Sequence, residues 1–201
     1  MSGWVVILNG APRSGKTSIA RAMAELDTEV WVNHGVDAAM ARTPLALRPG
    51  VGLRPGGERP DLAVHLPGLF AELYVEVARL AESGSNVAVD AGHHDDYSVP
   101  LRIVDRVAGW LDGRPTVWVG VRCDLDEIMR RRDRAGEGYV GSAADGAVPA
   151  PILRWERAVH RIDYDLVVDT TATSPRDCAS RILRHLGRGG AGPRTGAPPR
   201  S

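Results

Sequence analysis

The 201 residues suffice for one α/β domain with a substantial core and are few for two. Lys plus Arg equal Asp plus Glu at 25 each, so no overall basic field argues for a nucleic acid or an anionic membrane, and charge alone points to a small-molecule partner or none. No apolar run approaches the roughly 18 residues that span a bilayer. Cys123 and Cys178 lack the spacing of a zinc site or disulfide framework, so they read as free thiols of a cytoplasmic protein, and no basic leader precedes the first apolar run.

Trp4 to Asn9 is short, apolar and rich in β-branched residues, the pattern of a parallel strand buried on both faces. After a glycine loop, Thr17 to Leu26 places Ile19, Ala20, Met23 and Leu26 at helical spacing. Glu29 to Asn33 predicts a second strand, with Asp37 beyond its carboxyl end and a short helix over Ala38 to Arg42. Pro44 to Pro67 is rich in Gly, Pro and Arg without periodicity and reads as a surface excursion. Helical spacing resumes from Leu66 to Ser83, stopped by Gly84. Asn86 to Asp90 is the next strand and leads into the polar loop Gly92-His93-His94-Asp95-Asp96. A helix over Val99 to Leu111, a strand over Thr116 to Val121, and a helix over Asp124 to Arg134 with Asp124 as cap follow. Gly136 to Pro151 is loop-like, Ile152 to His160 helical, Tyr164 to Asp169 the last strand, and Ser174 to Leu186 a closing helix with Ser174 as cap and Pro175 at its first position. The domain is expected over residues 1–186, with 187–201 a disordered tail of Gly, Pro and Arg. Strands alternating with helices imply a mostly parallel sheet covered on both faces, a three-layer α/β sandwich.

The loop Gly10-Ala11-Pro12-Arg13-Ser14-Gly15-Lys16-Thr17 satisfies GxxxxGK[ST] in full, with the strand before and helix after that the motif requires. Its glycines let backbone N–H groups turn towards one anion, and the helix N-terminus adds a positive dipole end. Lys16 is the only lysine in the chain. It can reach the β- and γ-phosphates of ATP while the Thr17 hydroxyl ligates Mg²⁺. Asp37, beyond a strand's carboxyl end, can accept the proton of an attacking alcohol, and a helix cap or surface-turn carboxylate explains it equally well. Asp90 closes an apolar strand where a carboxylate commonly holds Mg²⁺ through water. His93, His94, Asp95 and Asp96 are adjacent in a loop and cannot all face one ion, which argues against a zinc site. Arg130, Arg131, Arg132 and Arg134 end a helix before a glycine-containing loop, where one or two can close onto transferring phosphates and the others face water. Trp31, His34, Phe70, Tyr74 and Tyr139 are candidates for contact with a ring-bearing acceptor, with helical core packing the competing role for Phe70 and Tyr74.

The phrases VVILNGAPRSGKTSIA, WVNHGVD, NVAVD, VWVGVRCDLDEIMRRRDR and AVHRIDYDLVVDTT, in order from Val5 to Thr171, together resemble the chloramphenicol phosphotransferase family. That resemblance implies a kinase-like P-loop fold and ATP- and Mg²⁺-dependent phosphorylation of a hydroxyl on an antibiotic or similar small molecule, with resistance as its consequence. It also implies that Asp37, in the phrase Gly35-Val36-Asp37, is the catalytic base beside Lys16. The family's lid often reads RE, a short gap, then RGDR, whereas this chain has Arg131-Arg132-Asp133-Arg134-Ala135-Gly136-Glu137-Gly138 without the later arginine of that pattern, so Arg131 and Arg134 are the lid candidates. A kinase of a metabolite, nucleoside or nucleotide sugar, in the manner of zeta-type toxins, and a nucleotide-dependent switch are the rival readings. Self-association into a homo-oligomer is compatible with all three.

Overall fold

The computed structural model describes residues 2–44, 47, 60–96, 100–134 and 147–187. Five strands, β1 (Val5–Asn9), β2 (Trp31–Asn33), β3 (Asn86–Ala91), β4 (Thr116–Arg122) and β5 (Leu166–Asp169), form one sheet in the order β2-β3-β1-β4-β5. Every pairing is parallel. β1 is central and all five of its residues are buried, as its unbroken apolar run requires.

Alternation along β1 feeds two cores. Val5 and Ile7 join Val87 and Val89 against α3 (Leu66–Glu82) and α4 (Ile103–Trp110). Val6 and Leu8 join Val119 and Val121 against α1 (Lys16–Leu26) and α7 (Pro175–His185). The result is the three-layer sandwich that the strand and helix alternation implies. α2 (Val36–Arg42), α5 (Leu125–Asp133) and α6 (Ala150–Val159) are the remaining α-helices among the described residues. Among the described residues no helix is long and apolar enough to cross a membrane.

Register positions the chemistry. Leu8 pairs with Asp90, and Asn9 pairs with Ala91 on one side and Gly120 on the other. The loop leaving β1 therefore emerges beside Asp90, at the carboxyl edge of the sheet where ligands of such folds bind.

Several boundaries differ from expectation for identifiable reasons. β2 holds three residues because it is an edge strand whose register with β3 covers only Trp31 to Asn33, and Val30 is 67% exposed. α2 starts at Val36, two residues early, so Asp37 lies in its first turn. The excursion gives way at Pro60 to a 3₁₀ helix, Pro60–His65, that runs directly into α3 and buries Leu62. α4 begins at Ile103 because Pro100 disfavours helix before it and the Asp95 carboxylate accepts the Ile103 N–H at 3.1 Å. Asp124 stands at the cap position of α5 without a capping side-chain bond. Ser174 caps as expected, accepting the Asp177 N–H at 3.1 Å, with Pro175 next. Residues 48–59 of the excursion, the Gly136–Gly146 stretch with Tyr139, and the tail from 188 lie outside the described residues.

Candidate active site

Between β1 and α1 the chain takes the left-handed backbone region twice, at Arg13 (φ 71°) and Gly15 (φ 97°), which turns successive peptide groups inward. Gly10 answers to space: a Cβ there would sit 2.4 Å from the Val121 carbonyl oxygen. Lys16 is 8% exposed, and its Nζ donates to the carbonyls of Gly10 at 3.0 Å and Ala11 at 2.9 Å. The same ammonium is 3.6 Å from Asp90 Oδ1, and Thr17 Oγ1 donates to Asp90 Oδ2 at 2.5 Å. Asp90 thus joins the lysine and the threonine of the loop, as their separate placement in sequence does not reveal.

Gly35 occupies the cap position of α2 and packs directly on Asp90, where a Cβ would lie 2.4 Å from the Asp90 oxygen. That close approach lays α2 across the end of β3, and exposed Asp37 faces the same space as Asp90. The cap is Gly35, so capping is not the task of Asp37. A cavity of about 630 Å³ results. Gly10, Pro12, Arg13, Gly15, Lys16, Thr17, Thr173 and Pro175 line one part, and Val36, Asp37, Met40, Phe70, Gly92, His93 and Trp155 another.

Arg131 and Arg134 also line the cavity. Arg131 reaches across to the loop: Nη1 donates to the Arg13 carbonyl and to Thr170 Oγ1, each at 3.2 Å, and Nη2 donates to the Thr170 carbonyl at 2.8 Å. Its Nε donates to Glu127 at 2.8 Å, a bond that holds the Glu127 carboxyl below its usual pKa. Thr170 in turn donates to the Ser14 carbonyl at 2.6 Å. Arg130 is exposed and paired with Glu127, whereas Arg132, expected in water, is 2% exposed. It follows buried Ile128 by one turn and so shares its inward face.

The aromatic candidates separate. Phe70 lines the cavity, but Tyr74 is wholly buried in the core. Trp31 packs on the opposite core and donates from Nε1 to Asp27 at 2.8 Å. His34 is buried away from the cavity wall, with Nε2 2.9 Å from Arg42 Nη2; burial first and the Arg42 charge second lower its pKa. His93 and His94 are buried, not members of an open loop. Among the described residues no group of three or more His, Cys, Asp or Glu side chains could hold a metal ion.

Residues that sequence reasoning missed connect these parts. Asn9 accepts the His93 N–H at 2.5 Å and donates to the His93 carbonyl at 3.0 Å, locking the loop after β3 to the residue before Gly10. Its amide also donates to the Tyr164 hydroxyl at 2.8 Å, whose pKa burial pushes up to about 12. Asn9 was visible only as a polar end to an apolar strand, Gly35 only as part of a three-residue phrase, and Trp155 and Thr170 carried no distinguishing local signal. Cys123 and Cys178 are free and buried, and burial raises both thiols.

Comparison with known proteins identifies the family and the fold. Residues 3–187 match the sequence model of the family described as chloramphenicol phosphotransferase-like protein. A Mycobacterium tuberculosis H37Rv protein bearing the name "Putative O-phosphotransferase" is 27% identical over 197 residues, covering 90% of this chain and 80% of its own. Among solved structures, a sugar kinase from Janibacter sp. HTCC2649 superposes with TM-score 0.61 at 19% identity over 92% of this chain and 95% of its own. Shikimate kinase from Acinetobacter baumannii in complex with shikimate gives 0.58 at 16% identity over 94% and 95%. At these identities the two structures speak for the fold, which is that of P-loop kinases.

Proposed function

The chain belongs to the chloramphenicol phosphotransferase-like family and is a phosphotransferase, and we propose that it transfers the γ-phosphoryl group of ATP to a hydroxyl of a small molecule, a hydroxylated antibiotic, thereby conferring resistance. The observation that carries the reading is the convergence of Lys16, Thr17, Asp90 and Asp37 on one cavity with a half-apolar wall.

The loop from Gly10 to Thr17 holds the phosphates through backbone N–H groups, and Lys16 exchanges its contacts with the Gly10 and Ala11 carbonyls for phosphate oxygens. Thr17 and Asp90 present hard oxygen donors 2.5 Å apart, a set that suits Mg²⁺ better than a softer metal. When bound there, Mg²⁺ neutralises charge on the β- and γ-phosphates. The acceptor hydroxyl attacks the γ-phosphorus, its proton passes to the Asp37 carboxylate, and the bond to the leaving ADP oxygen breaks. Arg131 and Arg134 add positive charge from the α5 side. A cytoplasmic location, where ATP is plentiful and thiols stay reduced, suits two free cysteines.

The test is incubation with ATP, Mg²⁺ and a panel of hydroxylated antibiotics and metabolites, with products read by mass. Phosphorylated antibiotic is the expected product. A metabolite phosphorylated in its place overturns the antibiotic acceptor, and absence of any phosphorylated product overturns the reaction.

A further inference from the structure

His93 lines the cavity although it is 2% exposed, and phosphoryl transfer as described gives it no task. Its backbone is clamped at both ends by Asn9. Its ring is packed by Phe70, Tyr74 and Trp118, with centroids 5.1, 5.7 and 6.1 Å away, and its Nε2 lies 2.6 Å from the Tyr74 hydroxyl. The ring therefore has one orientation.

Tyr74 decides where the imidazole proton sits. Its phenol is wholly buried, so the hydroxyl proton needs an acceptor inside the protein, and Nε2 is at hand. A phenol that instead accepted from Nε2–H would strand its own proton in an apolar core, a larger cost than an unused lone pair. Nε2 is thus the acceptor. Burial, reinforced by the neighbouring His94, keeps the ring uncharged by holding its pKa down to about 3. A neutral imidazole that accepts at Nε2 carries its proton on Nδ1, the ring nitrogen left to meet a molecule in the cavity.

We propose that His93 is a specificity-determining residue whose Nδ1–H donates a hydrogen bond to an uncharged oxygen of the acceptor, the carbonyl of an amide, ketone or ester, at a position apart from the phosphorylated hydroxyl. The proposal rests on the phosphotransferase reading for the identity of the ligand. Val36, Met40, Phe70 and Trp155 line the same cavity, and an uncharged N–H among apolar walls pairs with a carbonyl oxygen more readily than it offsets the desolvation of a carboxylate.

The first test needs no ligand. In the full chain with ¹⁵N-labelled histidine, long-range ¹H–¹⁵N spectra at pH 7 should show His93, assigned by its loss in His93→Phe, as the neutral Nδ1–H tautomer. Tyr74→Phe should shift it towards a mixture. An Nε2–H tautomer or an imidazolium overturns the proposal. The second test uses whichever panel compound the wild type phosphorylates: His93→Phe, verified as folded by thermal unfolding, should raise its KM about tenfold or more with a smaller effect on kcat. His93→Asn, which returns an amide N–H near the Nδ1 position, should recover part of that loss. Equal KM in wild type and His93→Phe, or an acceptor bearing no such oxygen, overturns the proposal and leaves the phosphotransferase reading standing. If nothing on the panel is phosphorylated, that reading falls, and the tautomer decides the case of His93.

Discussion

Replacing Gly35 by alanine tests whether the contact between α2 and β3 sets the active-site geometry. The φ of Gly35 is −104°, open to any residue, so the glycine is there for space alone. A Cβ would meet the Asp90 oxygen at 2.4 Å and its Cβ and nitrogen at 2.8 Å, all within the 3.0 Å that real Cβ atoms do not enter. These atoms belong to the backbone of a buried strand or sit next to it, so α2 must yield by roughly half an ångström or more, an overpacking cost of about 1–3 kcal/mol. For a chain of this size that lowers Tm by roughly 2–12 °C. The effect on turnover should be larger than on stability, because Asp37 and Asp90 stand on the two sides of the contact and a displacement approaching 1 Å costs on the order of 100-fold in rate. Phosphorylation kinetics and thermal unfolding on Gly35→Ala measure both. Gly68→Ala and Gly109→Ala, helical positions with nothing within 4 Å of the added carbon, serve as controls and should be neutral or stabilising by about 0.5–1 kcal/mol. Wild-type Tm and kcat/KM in Gly35→Ala would refute the reasoning.

Asp37→Ala should lower kcat by about 10²–10⁴-fold while the Kd of a non-hydrolysable ATP analogue, measured by calorimetry, stays near wild type; Lys16→Ala should weaken both. Arg131→Met removes the donors to the Arg13 and Thr170 carbonyls and should lower turnover about tenfold or more, and Arg131→Lys should not restore it, since one ammonium cannot span three acceptors. Wild-type kinetics in Arg131→Lys would show that these bonds are dispensable. His93 has a folded pKa of about 3 against 6.5 for the free side chain, so between those values the unfolded chain binds a proton that the native chain does not. Stability is then lost as pH falls below about 6.5, at up to about 1.4 kcal/mol per pH unit. Denaturant melts at pH 7 and 4.5 should show a steeper acid loss for wild type than for His93→Phe, and equal slopes would contradict a buried neutral ring.

Local chemistry made much of this protein legible. The glycine loop with Lys16 and Thr17 carries its own geometry because left-handed backbone, helix dipole and lysine reach are all set within eight residues. The strand and helix alternation and the burial of β1 likewise follow from period and composition. Asp37 was visible as a position but not as a role, since a helix cap and a catalytic base look alike along a chain; the structure gives the cap position to Gly35 and sets Asp37 in the first turn of α2, and the role of base is what Asp37→Ala tests. The same holds for His93, which in sequence is one of four polar residues in a row and in the fold is a buried ring tied to Tyr74 nineteen residues earlier. Sequence by itself determined the nucleotide loop and the fold class, because these rest on local period, composition and contacts between near neighbours, whereas the kind of reaction came from the resemblance of whole phrases to a family. Which side chains share the cavity with that loop was decided by tertiary structure, because parallel register sets Leu8 beside Asp90 and Asn9 beside Ala91, and no local pattern records a register set between strands some eighty residues apart.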